Sequence, residues 1–289
     1  MRRGILVLLV SLAPLSAEAQ TILDIDFTQN YLLKTVPLGF GGAYRALADS
    51  NSAILINPAG ITQNKGQSVV SGDYMHNKRA GSNAFSVSAV DAKTLDFLAL
   101  GIEYDRDAFT VNKGVVVNQV TVAAAYAYEE IVSVGANVKG YVSTVNDPFT
   151  TGPKGADMDL GLLVKPISIL SMALTVQNLF QGNRRPPFPF VLGFGAGLNL
   201  KPHARLAVDL TRDFQTPSVA KVNSYFGAEL RLVEGVYARG GFGLDRVRDD
   251  NFWSGGLALN GPKISLNFTF SQRLNPAAET FAGNVEFMF

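Results

Sequence analysis

From Gly66 onward the sequence alternates apolar and polar residues with a period of two, the pattern of strands with one buried face. In "KISLNFTFSQ", Ile264, Leu266, Phe268 and Phe270 share one face; Ser265, Asn267, Thr269 and Ser271 share the other. Leu206, Val208 and Leu210 oppose Arg205, Asp209 and Thr211 in the same way. Val222, Phe226, Ala228, Leu230 and Leu232 oppose Asn223, Glu229 and Arg231. A soluble sandwich alternates too, so the connections decide. Short links at 91–94, 129–130, 165–168, 201–203, 233–235 and 260–263 take turns with long ones near 76–80, 105–116, 144–155, 179–189, 212–221, 245–251 and 271–280. Outer-membrane barrels have this asymmetry, with short periplasmic turns and longer outer loops. These links join about fourteen strands, an even number as such barrels require. Segments of roughly 10 to 12 residues match the roughly 9 to 11 that a tilted strand needs to cross the hydrocarbon. Lipid offers no partner to backbone N–H or C=O, so every strand edge must close. The expected fold is an all-β transmembrane antiparallel barrel over residues 66–289, with both ends on the periplasmic side.

Composition agrees. Charged residues are 17% of the chain, below the roughly 25% usual in soluble domains. Net charge is +1, which gives nucleic acid no electrostatic purchase. The absence of cysteine excludes disulfides, thiolate chemistry and cysteine zinc sites. The chain starts "MRRGILVLLVSLAPLSAEAQ": a basic pair, an apolar core from Gly4 to Leu15, and Ala17-Glu18-Ala19 as a cleavage pattern. A membrane anchor is the alternative, but that run is shorter than the roughly 18 residues of a span. Residues 1–19 are expected to be a cleaved signal peptide. The mature chain is then exported to an outer membrane of the Gram-negative type, with its lipid as a partner. The closing "FAGNVEFMF" keeps Val285, Phe287 and Phe289 in step, similar to the terminal signal read by barrel-insertion machinery.

Residues 20–65 do not alternate. They carry Gly39, Gly41 and Gly42, then "AYRALAD" (43–49), which reads as a short helix, then a turn and "AILINPAGI". Apolar and small residues dominate, so the piece needs somewhere to bury itself, and the lumen of the barrel is the place. The strands supply room: Gly193, Gly195 and Gly197 share one face, and Gly241 and Gly243 share another beside Gly227 and Gly255. Glycine in a strand marks close approach of another backbone; relief of barrel curvature is the other reading. Residues 20–65 are therefore expected to form a plug against a glycine wall.

The stretch "GFGGAYRALADSNSAILINPAGI" resembles the N-terminal signature of FadL-like outer-membrane transporters and of PorV/PorQ proteins, including its Asn57-Pro58-Ala59-Gly60 turn. "QNLFQGNRRPPFPFVLGFGAGL" resembles the middle segment of PorV-like chains. The resemblance implies a fourteen-strand barrel with an N-terminal plug. Its FadL branch implies passage of fatty acids or other hydrophobic molecules; its PorV branch implies a partner in secretion or surface assembly. A structural envelope barrel without transport is a third possibility. In the transport reading a ligand meets Phe40, Tyr44, Leu47 or Ile54.

The only histidines, His76 and His203, fall at opposite rims, so no shared metal or catalytic site is expected, and no enzyme or cofactor. Neither glycine-rich run sits in a βαβ unit, so neither is a phosphate loop. Asp157, Asp159, Arg205, Asp209, Glu229, Arg231, Arg239 and Asp245 alternate inward, as a solute path or as an ion-pair network joining plug and wall. "NRRPPFPF" makes a stiff outer loop, with Arg184, Arg185 and Phe188 as a candidate partner site. Trp253, Tyr237 and Tyr225 are candidates for an interfacial aromatic girdle.

Overall fold

The computed structural model describes residues 34–78, 81–95, 97–109, 114–145, 151–180, 189–214, 222–246, 250–275 and 277–289. The expected signal peptide and the outer-loop residues Arg184, Arg185 and Phe188 lie outside them. Helix α1 (Thr35–Gly39), helix α2 (Ala53–Ile56) and a 3₁₀ helix (Pro58–Asn64) come first. Fourteen strands follow: β1 (Ser68–Asn77), β2 (Ser82–Asp91), β3 (Leu98–Phe109), β4 (Val115–Tyr128), β5 (Val132–Val145), β6 (Thr151–Ile167), β7 (Leu170–Gln177), β8 (Val191–Leu200), β9 (Ala204–Asp213), β10 (Val222–Val233), β11 (Val236–Asp245), β12 (Asp250–Asn260), β13 (Ile264–Leu274) and β14 (Ala277–Met288).

Each strand pairs antiparallel with its neighbours in the chain, and β1 closes on β14. Closure runs from Val69 opposite Met288 to Asn77 opposite Thr280. Past the last strand, the Phe289 N–H donates to the Ser68 carbonyl at 2.9 Å. A closed sheet has no unpaired edge. The alternation then sorts side chains by face. On β13, Ser265, Asn267, Thr269 and Ser271 are buried inside, while Ile264 and Phe268 are exposed outside. Ile102, Val122 and Val138 are likewise exposed, and Glu103, Thr121 and Lys139 beside them are buried. The molecule is apolar outside and polar within.

Three expectations need correction. First, three of the seven long links, 105–116, 144–155 and 271–280, are for the larger part strand. The expected loop 105–116 shrinks to 110–114, and 271–280 to 275–276. The reason is the inward polar residues: Asp105 and Asp107 read as loop, yet they stay in register with Gln119 and Val117. The strict turn-taking of link lengths fails with this, since link 92–97 is longer than 78–81. Second, residues 43–49 are not a helix. The backbone N–H groups of Tyr44 and Arg45 both donate to Asp209 Oδ2 on β9 at 2.9 Å, so they are tied to the sheet and not to a helical turn. The helices form on either side of this stretch. Third, three facings need correction. On β12 it is Gly256 that shares the inner face with Ser254 and Ala258, and Gly255 points out. Tyr225 turns inward onto Phe252, and Tyr237 shares the face of Arg239, so of the girdle candidates only Trp253 is external.

Candidate functional site: the inner wall and residues 34–64

Residues 34–64 touch all fourteen strands. Asp73 on β1 accepts from the Thr35 N–H at 3.2 Å, and Ser88 on β2 from Asn51 Nδ2 at 2.7 Å. Lys34 pairs with Glu103 and, at 2.8 Å, with Asp105, both on β3. The 3₁₀ helix packs on β4. On β5 and β7, Asn137 and Gln177 donate to the carbonyls of Ile54 and Leu55 at 2.7 and 3.0 Å. Ser254 on β12, Thr269 on β13 and Glu286 on β14 hold Gly41, Thr35 and Ser50. The segment therefore reaches the whole circumference, through its backbone and its side chains alike.

Close approach of the segment explains most of the wall glycines, by its backbone at β10 and β11 and mainly by its side chains at β8. A Cβ on Gly241 (β11) would strike the backbone of Phe40 and Gly41; one on Gly227 (β10) would strike Phe40. Gly41 itself has φ +61°, and a side chain there would meet Phe242 N and Gly241 C. Gly193, Gly195 and Gly197 on β8 lie under Arg45, Arg45 with Ala46, and Leu47, respectively. Gly243 is different: the space beside it is taken by the Phe252 ring, not by the segment. Two further contacts escaped the sequence reading, Gly135 (β5) against Pro58 and Ala59, and Gly161 (β6) against Asn57. Their signal was their parity with Asn137 and Asp159, which places them on the inner face.

The Asn-Pro-Ala-Gly turn now has a mechanical account. Asn57 Oδ1 accepts from the Ala59 N–H at 3.2 Å, capping the 3₁₀ helix as an N-cap residue does. Its Nδ2 donates to the Arg45 carbonyl at 3.0 Å, tying the two halves of the segment together. Pro58 occupies the first helical position, where no N–H is needed. Gly60 lies against the Ala48 carbonyl, with no room for a Cβ. Gly39 meets Thr269 Oγ1, and Gly42 has φ +86°.

Charge is placed in pairs. Arg45 reaches Asp209 at 3.2 Å, Thr175 at 3.1 Å and Gln177 at 3.1 Å. Across β9, β10 and β11, Arg205, Glu229 and Arg239 stand in register, with Glu229 bonded to both guanidinium groups at 2.7 and 2.6 Å. Both guanidinium groups also lie over the Phe40 ring, at 5.2 and 5.8 Å from its centroid. Arg205 extends to Asp49 at 3.0 Å, and Lys139 holds Asp159 at 2.7 Å. Of the eight inward charges read from the sequence, Arg231 alone is short of burial, near the rim.

Phe40, Tyr44, Leu47 and Ile54 sit in this packed contact, at most 6% exposed. Phe40 and Tyr44 stack at 5.3 Å, and Ile54 presses on Gly101 of β3. With the segment in place their surfaces are covered. His76 lies at one end of the barrel, bonded to Asn83, and His203 in the turn at the other. Among the described residues, no group of three His, Asp or Glu is placed to hold a metal.

The contacts make one substitution a direct probe. A Cβ at Gly195 would lie 2.7 Å from Asp209 Oδ1 and 2.9 Å from Arg45 Cβ. Gly195→Arg overpacks this spot and sets a second cation on Arg45, whereas Arg205→Ala leaves Glu229 its other arginine. Limited proteolysis within residues 34–64 is expected to be much faster in Gly195→Arg than in Arg205→Ala, with a cost above about 3 kcal/mol against about 1 to 3. Equal cleavage rates would refute the contact as the seat of the segment.

The class of fold is a closed antiparallel barrel of fourteen strands. It is similar to CymD, described as a monoaromatic hydrocarbon channel (TM-score 0.63, 14% identity, covering 90% of this chain and 98% of that one). It is also similar to the toluene transporter TbuX of Ralstonia pickettii (TM-score 0.61, 14% identity, 88% and 97%) and to the toluene transporter TodX of P. putida (TM-score 0.60, 11% identity, 88% and 97%). At such identities the likeness is one of fold. No family model matches the chain, and no curated protein matches it in sequence.

Proposed function

We propose that the chain is an outer-membrane barrel that binds or passes small hydrophobic molecules of the hydrocarbon or fatty-acid type, with residues 20–65 as its plug. The observation that carries the reading is the segment that meets every strand from inside, because a barrel for free diffusion of small solutes has no use for one. The exposed belt supports a lipid setting: Ile102, Val122, Val138 and Phe268 are each more than half exposed. On lipid-facing positions an Arg or Lys at midplane would cost about 2 to 4 kcal/mol. The described relatives in fold, a hydrocarbon channel and two toluene transporters, support the substrate class. Binding energy for a ligand would come from Phe40, Tyr44, Leu47 and Ile54 once the segment moves. Phe287 and Phe289, both exposed, would be presented to barrel-insertion machinery. The secretion-partner alternative would draw on Arg184, Arg185 and Phe188, and no described residue favours it.

Whole-cell uptake tests the proposal. Deletion of the gene should slow entry of labelled toluene or a labelled fatty acid, and restoring the chain should recover it. Unchanged uptake of both compounds would count against the proposal.

A further inference from the structure

A cavity of about 190 Å³ opens at the end of the barrel where β1 starts and β14 finishes, between the 3₁₀ helix and strands β3 to β6. Its apolar lining includes Ala99 and Ala127, which present nothing beyond Cβ, and Phe97. Phe97 is steadied by Tyr126, with ring centroids 6.2 Å apart. The polar lining comprises Lys65 and Lys165, the carboxylates Glu129 and Glu130, and Thr62, Gln63 and Ser133. An apolar cavity of about 150 Å³ is known to hold benzene; this one is of mixed lining, and its volume suits a single ring with a small polar substituent.

The two lysines are not equivalent. Lys65 is engaged, bonded to Glu130 at 2.7 Å. The β4–β5 turn holds that carboxylate in place, although Glu129 and Glu130 have φ of 48° and 58°. Such a turn ordinarily takes Asn or Gly. Lys165 is half-buried, and among the described residues no carboxylate lies within ion-pair distance of it. Glu130, Asp49 and Lys201 act on it from further away. Glu130 is taken by Lys65, and Asp49 by Arg205 at 3.0 Å. Lys201 only adds repulsion. A half-buried ammonium in a cavity of mixed lining is stabilised by an anion whose apolar body covers Phe97, Ala99 and Ala127.

We propose that this cavity binds a one-ring aromatic carboxylate of the benzoate class, with the ring against Phe97, Ala99 and Ala127 and the carboxylate on Lys165. Its place as the last station of a conduit rests on the transport reading; the binding itself does not.

The test uses the full purified chain in micelles, with 4-fluorobenzoate and fluorobenzene followed by fluorine NMR against empty micelles. Wild type should bind 4-fluorobenzoate. Lys165→Gln should weaken that binding at least tenfold and leave fluorobenzene unchanged. Ala127→Leu, which intrudes on the cavity, should abolish binding of both, with folding checked by heat-dependent gel mobility. No binding by wild type, or equal binding by Lys165→Gln, overturns the proposal. Displacement by hexanoate as strong as by benzoate overturns the aromatic assignment. Uptake of neutral toluene is measured separately: normal uptake without benzoate binding removes this site alone, and benzoate binding without uptake removes the transport reading alone.

Discussion

A barrel lacking residues 20–65 should conduct ions, and should prefer cations. The intact chain should pass little current in planar bilayers. The described part of the segment is hydrogen-bonded around the whole wall, from Asp73 on β1 to Glu286 on β14. Its removal leaves the strand ladders intact, because they bond only to each other. It does change the lumen. Lys34 and Arg45 leave with it, and they are the cations facing Glu103, Asp105 and Asp209. Among the described residues, the buried charges that remain on the strands are ten acids against Lys139, Arg205 and Arg239. Carboxylate-lined pores select cations, so the sign of the reversal potential follows from this imbalance. Conductance should rise on the order of tenfold or more, since wide barrels without an internal element leave an aqueous channel. Gly241→Leu, which pushes a side chain into Phe40 and Gly41, should act in the same direction more weakly. A deletion variant that stays closed, or that prefers anions, would contradict the role given to the segment.

The barrel was legible because its code has period two. One residue on β13 sets the facing of the next ten, and the count of fourteen strands follows from counting such runs. The three glycines of β8 were legible as an inner stripe for the same reason. The loops were not. Asp105 and Asp107 look like loop residues because loops and the interior of a barrel are both polar. Only the ladder, with Arg106 opposite Asn118 on β4, tells them apart. Paired glycines defeat the code as well: Gly255-Gly256 offers no side chain to fix the parity, and the wrong member was placed inside. The helix expected over residues 43–49 failed for a reason outside the local sequence. Its amides are claimed by Asp209, a residue more than 160 positions away. Asn57, in contrast, was identifiable because its capping and tying bonds are made within the segment itself.

Removing the Glu229 carboxylate should destabilise the docked segment more than removing either arginine beside it. Glu229 sits 4% exposed between Arg205 and Arg239, directly opposite both across the sheet. The two guanidinium groups share the Phe40 ring as well, so the ring and the carboxylate together hold two like charges close. Glu229→Ala leaves Arg205 with Asp49 and Arg239 with Asn267, a neutral partner. Breaking a buried pair from one side costs about 3 to 5 kcal/mol, because the other charge stays desolvated. Here the stranded charges also repel. Glu229→Gln keeps an acceptor and loses the charge, so it should fall between wild type and Ala. Arg239→Ala should cost less than Glu229→Ala, because Arg205 still neutralises the carboxylate. Adding Arg239→Ala to Glu229→Ala should restore part of the loss, which simple loss of packing would not do. Urea unfolding in micelles reads the ordering: Glu229→Ala lowest, the double variant above it, Glu229→Gln nearer wild type. A double variant less stable than Glu229→Ala would mean that the three charges do not act as one unit on Phe40.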